Sequence, residues 1–183
     1  HVDTERGWRG GERQAFWLAQ RLARQGHRSV LAARPGEPLA QKATEAGIPV
    51  FPLSPLAEMD VLAALRLRRA IVREEADIVH AHTGHAVALA AMATLGTRAR
   101  MVLTRRVSFA LKRHPASFWK YARADAMIAV CKATADSLVA SGIESARITV
   151  AYSGVDLTRV IPPATSETLA SLGVRAGAPL VVM

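Results

Sequence analysis

His1-Val2-Asp3-Thr4 and, a short loop later, Gly10-Gly11-Glu12 decide the reading of this chain. The first stretch runs from apolar to polar and reads as the tail of a buried strand. The second opens a helical pattern that continues to Gln25. A strand, a glycine turn and a helix N-terminus present free backbone N–H groups to a phosphate. Glycine lets such a ligand approach the backbone, because no Cβ stands in the way. A Gly-Gly pair alone also suits a tight turn. The rest of the chain adds weight to the phosphate reading, because it repeats strand then helix to the end.

Working outward, Gly11–Arg24 is an amphipathic helix with Phe16, Leu18, Ala19 and Leu22 among its apolar positions and Gly26 as its stop. Arg28–Ala33 reads as a strand, Pro38–Ala46 as a short helix ended by Gly47, and Ile48–Leu53 as the next strand. Pro49 and Pro52 place that strand at an edge, since proline cannot donate to a ladder. Asp60 is the expected N-cap of a helix Val61–Glu75. Asp77–Ala81 is a strand, and Thr83-Gly84 leads into an Ala-rich helix, His85–Leu95. Arg100–Thr104 is a strand, Arg105–His114 a basic loop, and Pro115–Arg123 a helix with proline at its first position. Ala126–Val130, a helix Thr134–Ala140 and Arg147–Ala151 follow. Pro162-Pro163 reads as a linker, Ser166–Leu172 as a short helix and Pro179–Met183 as the start of one more apolar strand.

Strands joined by helices give parallel βαβ units with right-handed crossovers. The expected fold is therefore α/β: a doubly wound, mainly parallel sheet of about seven strands, with helices on both faces. Ligands in such sheets sit beyond the carboxyl ends of the strands, where the winding reverses. If the first strand lies beside the fourth, Glu5–Gly11 faces Ala81–His85 there, and Arg105–His114 adjoins them.

At 183 residues the chain is long enough for one domain with a full core. Hydrophobic residues make up 50 % of it, so it should fold, and aromatics only 5 %, so that core should be Ala, Val, Leu and Ile. The single Cys131 excludes an internal disulfide framework. No run approaches the roughly 18–20 apolar residues of a membrane span, and no signal peptide is visible. The net charge of +9 favours anionic partners: nucleic acid, phosphorylated sugars or acidic lipid head groups. The sequence opens at His1 inside a strand, so a few more residues of that strand are expected ahead of it.

Five motifs now stand in order: Gly10-Gly11-Glu12-Arg13; Leu22 with Gly26-His27; Asp77-Ile78-Val79-His80-Ala81-His82; Ala129-Val130-Cys131; and Ser153-Gly154-Val155-Asp156. In this order the chain resembles the N-terminal Rossmann-like domain of family 4 glycosyltransferases, one half of their GT-B fold. The resemblance implies residues 1–161 as an acceptor-side domain and 162–183 as a linker and first strand of a donor-binding domain. It implies transfer from a nucleotide sugar with retention of configuration, and no metal ion or cofactor. The expected acceptor is a cell-envelope glycan such as lipopolysaccharide, or a lipid, and the expected location is cytoplasmic, at the inner face of the membrane. Gly10 and Gly11 match the glycines that approach the donor diphosphate. The family's strand-five loop often holds a histidine near the acceptor. Here it reads Thr104-Arg105-Arg106-Val107, so Arg105 or Arg106 stands in that place. Arginine is no base at ordinary pH, but it clamps a phosphate or carboxylate, which implies an anionic acceptor. His82 and Thr83 are placed on the acceptor side with them. Ser153 stands where many relatives carry asparagine. The family's acidic pair belongs to the second domain, so no catalytic residue is named here.

Other readings of the same residues stand beside these. His80 alternates with Val79 and suits a packed core position. His82 and His85 flank Gly84 without a third ligand at fixed spacing, which is no zinc pattern. Arg66, Arg68, Arg69 and Arg73 lie along one helix as either a solvated face or a contact with anionic membrane. Cys131 reads as a small core residue, and Lys132 as either a cleft residue or a solvated one. A stand-alone flavodoxin-like module for a small phosphorylated ligand is the other function class. A nucleic-acid binder is suggested by charge alone, without an aromatic platform or recognition helix.

Overall fold

The computed structural model describes residues 1–111, 114–156, 165–175 and 177–178. The chain alternates strand and helix throughout: β1 (Val2–Asp3), α1 (Gly10–Arg24), β2 (Leu31–Ala33), α2 (Pro38–Glu45), β3 (Val50–Pro52), α3 (Val61–Arg73), β4 (Ile78–Ala81), α4 (Gly84–Ala93), β5 (Arg100–Arg105), α5 (Pro115–Ala122), β6 (Ala126–Ala129), α6 (Lys132–Ala140) and β7 (Ile148–Val150). It divides into two units, His1–Ser153 and Gly154–Met183. The first holds the whole sheet. The second contains α7 (Ser166–Ser171), whose first turn is capped by Thr165 Oγ1 accepting the Thr168 N–H at 3.1 Å. The expected linker prolines 162 and 163 and the expected strand 179–183 lie outside the described residues.

The sheet order is β3-β2-β1-β4-β5-β6-β7, and every pair is parallel. The winding reverses between β1 and β4, where Val2 sits opposite Ala81. The proline-bearing strand β3 is at the edge, as its lack of donors requires. Leu31 N–H still finds a partner there in the Pro49 carbonyl, at 2.9 Å.

Local chemistry sets the helix starts. Asp60 caps α3 by accepting the Ala63 N–H at 2.9 Å, and Thr83 caps α4 by accepting the Ala86 N–H at 3.3 Å. Left-handed glycines follow α1 and α2, Gly26 at φ +89° and Gly47 at φ +72°. One core cluster packs Val79, Met101, Leu103 and Met127 against α3 and α4; another packs Ala19, Leu39 and Ala43 of α1 and α2 on Leu31 and Ala33. Helix α4 is buried at Ala86, Val87, Ala88, Leu89, Ala90 and Ala91, so it is apolar all round rather than amphipathic. Its small side chains let it lie close to the sheet, which is why a core so poor in aromatics still fills.

Candidate functional site

Three loops meet beyond the carboxyl ends of β1, β4 and β5, as the topology demands. His85 Nδ1 lies 3.0 Å from Glu5 Oε1, which joins the loop after β1 to the start of α4. Arg106 Nη1 donates to the His82 carbonyl at 2.9 Å, which joins the loop after β5 to the end of β4. A Cβ on Gly11 would lie 3.8 Å from Arg106 Cδ, so the same arginine also borders the glycine turn.

Gly10 and Gly11 are the first two residues of α1, and Arg9 is its N-cap. Neither glycine has a positive φ, and a Cβ on Gly10 would meet nothing within 4 Å. No clash within the chain therefore demands glycine here. The glycine that does need its freedom is Gly7, at φ +87°, whose N–H donates to Glu37 Oε2 at 2.9 Å. The first N–H groups of α1 have no acceptor inside the helix, and its dipole makes that end attractive to an anion.

Beneath this turn lies a group of buried charges that the sequence reading missed. Asp3 is fully buried, and Glu12 is buried with its Oε2 accepting the Arg9 N–H at 2.7 Å. Asp3 Oδ1 accepts the Glu5 N–H at 3.2 Å, whereas Oδ2 is buried and has no partner among the described residues. Burial pushes the Asp3 carboxyl up to about 7, with Glu12 and Glu5 adding to the rise and the Arg106 guanidinium opposing it. Arg106 is half-buried, and its loss of solvation is partly offset by the carboxylates of Asp3 and Glu12.

The imidazoles form a second polar layer. His80 is buried, as expected, and its Nε2 lies 2.7 Å from Thr104 Oγ1. The His82 ring is also buried, stacked on His80 with centroids 4.1 Å apart. Thr83, next in sequence, is only half-buried. His1 supplies a third imidazole that spacing alone did not suggest, with Nδ1 3.1 Å from His82 Nε2. One ring nitrogen from each of His1, His80 and His82 lies within 4.8 Å of the other two. The rings stack and bond to each other and to Thr104, and an Arg106 nitrogen sits 3.4 Å from His82 Nδ1. Burial holds His80 down to about 3, and burial, then His80 and Arg106, holds His82 well below its ordinary value. His80 and His82 are therefore neutral near pH 7.

The remaining candidates are placed as follows. Arg105 is the last residue of β5 rather than the first of the loop, because its carbonyl accepts the Val130 N–H at 3.2 Å. Its guanidinium donates to Tyr121 Oη at 2.8 Å and to the Phe109 carbonyl, with the Tyr121 ring 5.4 Å below it. Thr83 Oγ1 accepts the Ala86 N–H in the α4 cap. Cys131 is not a core residue: it is the partly exposed N-cap of α6, and its Sγ lies 3.3 Å from Thr134 Oγ1, which lowers its pKa. Lys132 is 79 % exposed and faces Asp136 one turn on, the solvated alternative. Lys120, buried on α5, pairs with Glu58 and donates to the Gly84 carbonyl at 3.3 Å.

Over residues 8–159 the sequence matches the family model for Glycosyltransferase Family 4. The chain belongs to glycosyltransferase family 4. No curated protein matches it. Among solved structures it is similar to Anabaena Alr3699/HepE in complex with UDP-glucose, at 17 % identity and a TM-score of 0.76, over 94 % of this chain and 48 % of that one. A glycosyltransferase from Rickettsia africae ESF-5 is 22 % identical with a TM-score of 0.71, over 97 % and 50 % of the two chains. The lipopolysaccharide outer core galactosyltransferase WaaB is 16 % identical with a TM-score of 0.62, over 90 % and 48 %. At these identities the likeness is one of fold. The family 4 chain described here spans about half the length of each of these structures. Among its described residues no helix is long and apolar enough to cross a membrane.

Asp3 yields a pH prediction. A carboxyl whose folded pKa is raised from 3.8 to about 7 binds its proton more tightly in the folded state. Its contribution to stability is full below about pH 4 and is lost as pH rises to 7. The depressed histidines act in the opposite sense, losing stability as pH falls below 6.5, so the wild-type curve mixes the two. The difference between Asp3→Asn and wild type isolates Asp3. That difference should grow in favour of the variant by about 2 kcal/mol from pH 5 to pH 7, and stay level above. Thermal melts of both proteins across that range check it; parallel curves would show that Asp3 stays ionised.

Proposed function

We propose that this chain is the acceptor-side half of a retaining, metal-independent glycosyltransferase. It moves a sugar from a nucleotide-sugar donor to a cell-envelope glycan or a lipid-linked acceptor, in the cytoplasm at the inner face of the membrane. The observation that carries the reading is the family 4 match laid over a glycine-opened helix N-terminus at the switch point of the sheet. Solved structures of the same fold bear UDP and UDP-glucose, which supports a nucleotide-sugar donor.

In this reading the N–H groups and dipole of α1 at Gly10-Gly11 stabilise charge that builds on the departing diphosphate. Glu12 works against that anion from the first turn, and the guanidinium of Arg106 offsets it. Arg105, Arg106, His82 and Thr83 form the acceptor side. The two arginines and Thr83 orient an anionic acceptor, and the buried His82 ring holds the shelf beneath them. A second domain closes over the donor and excludes water.

In this reading the donor-binding groups other than Gly10-Gly11 belong to that second domain, so the chain by itself should turn over no nucleotide sugar. The check is hydrolysis and transfer of UDP-glucose by the purified chain, beside the two-domain enzyme under the same conditions. Turnover by the chain at roughly 1 per second or more would place a complete active site within these residues.

A further inference from the structure

Helix α5 holds two rims of the candidate site with two adjacent side chains. Lys120 and Tyr121 are the buried residues of this helix. One residue along a helix turns the side chain by about 100°, so the two reach different neighbours. Lys120 donates to the Gly84 carbonyl at the start of α4 and pairs with Glu58. Tyr121 Oη accepts from Arg105 Nη1 at 2.8 Å, at the end of β5. Both cations also lie against the Tyr121 ring, Arg105 Cζ at 5.4 Å and Lys120 Nζ at 5.5 Å from its centre.

Tyr121 is 5 % exposed, and its ring packs in the larger core cluster. That packing uses the ring and not the hydroxyl. A buried hydroxyl costs free energy unless it is bonded, and Arg105 supplies the bond. The same guanidinium then reaches on. Its Nη2 donates to the Phe109 carbonyl, which closes residues 105–109 into a turn. The loop is pinned again at Leu111, whose N–H donates to Ser141 Oγ at 3.1 Å. Between these two pins residues 107–110 are exposed, so core packing does not hold them. Tyr121 thus fixes the guanidinium, and the guanidinium fixes the turn that contains Arg106.

We propose, on the acceptor-side reading of this loop, that Tyr121 is a positioning residue for the acceptor and acts through Arg105. Its hydroxyl keeps the arginine in one rotamer before any acceptor arrives. Phenylalanine at this position keeps the ring and releases the arm. The acceptor must then order that arm itself, a cost that preorganisation removes. Arg105 is half-buried, so water can take up the freed N–H and the fold should survive the change.

Two measurements on Tyr121→Phe test this. In the chain itself, the amides of residues 107–111 should exchange with solvent about fivefold faster, while those of β6 keep their wild-type rates. In the two-domain enzyme the acceptor KM should rise about fivefold, with kcat and the donor KM within about twofold, as expected for reordering one long side chain. Arg105→Lys keeps the charge but loses the fork that reaches both oxygens. On that background Tyr121→Phe should raise the acceptor KM no further. Exchange rates and acceptor KM both at wild-type values would overturn the proposal. So would an equal KM rise on the Arg105→Lys background, since the hydroxyl would then act by another route. A donor KM that rises in place of the acceptor KM would also overturn it, as would faster exchange with an unmoved acceptor KM. A two-domain enzyme that transfers no sugar would sink the acceptor-side reading itself, and exchange in the chain would still decide whether Tyr121 holds the turn.

Discussion

Gly11→Val is expected to lower transfer by about a hundredfold or more in the two-domain enzyme, and to leave its melting temperature nearly unchanged. The stability half of this expectation follows from the geometry. Gly11 has ordinary helical backbone, and a Cβ there would only touch Arg106 Cδ at 3.8 Å. Valine is also a better helix former than glycine by a few tenths of a kcal/mol. The activity half follows from the proposed diphosphate site. A branched side chain on the first turn stands where a phosphate oxygen must come within about 3 Å of the backbone N–H. Removing one oxyanion donor of this kind typically costs 10²–10³ in kcat. Gly10→Ala is the milder companion, because its Cβ would enter open space. Transfer kinetics paired with thermal melting decide the matter. Normal kinetics in the valine variant would reduce Gly10-Gly11 to a turn, and a collapse in stability would show a packing role the geometry does not contain.

The fold was legible because its signals are local. The alternation of strand and helix, the Asp60 cap and the edge position of Pro52 each depend on a few neighbouring residues. The meeting of three loops followed from topology alone, and the contacts of Glu5 with His85 and Arg106 with the His82 carbonyl bear it out. The chemistry beneath those loops was not legible. Asp3 and Glu12 are acidic residues on a loop-proximal strand end and an exposed-looking helix turn, and polarity alone reads them as solvated. Their burial is set by tertiary packing, and the charge of Arg106, far away in sequence, only partly offsets it. The same holds for Lys120 with Glu58, 62 positions apart. The arginine row on α3 shows the limit from the other side. Its period was readable, but the departure of Arg68 to the Leu95 carbonyl and the exposure of Leu56 and Leu62 depend on tertiary packing.

Arg106→Gln should have two separable effects. The first is on stability. The guanidinium faces the carboxylates of Asp3 and Glu12 and holds the His82 carbonyl at 2.9 Å. Glutamine removes the cation that faces buried Glu12 and the ionised form of Asp3, which is costly when a buried pair is broken from one side. Arg106 is only half-buried, so the expected loss is about 2 kcal/mol rather than the full range for a dry pair. Adding Asp3→Asn should recover at least about half of that loss, because the neutral amide no longer needs the cation. The second effect is on substrate. If Arg106 also holds an anionic group of the acceptor, a charge-assisted bond of roughly 1.5–3 kcal/mol disappears, and the acceptor KM should rise about tenfold or more while the donor KM holds. The Asp3→Asn background separates the two, since it restores the fold without restoring the guanidinium. An acceptor KM that returns to normal in the double variant would make Arg106 a support for the glycine turn. A donor KM that rises while the acceptor KM holds would move it to the diphosphate, which its contact beside Gly11 also permits.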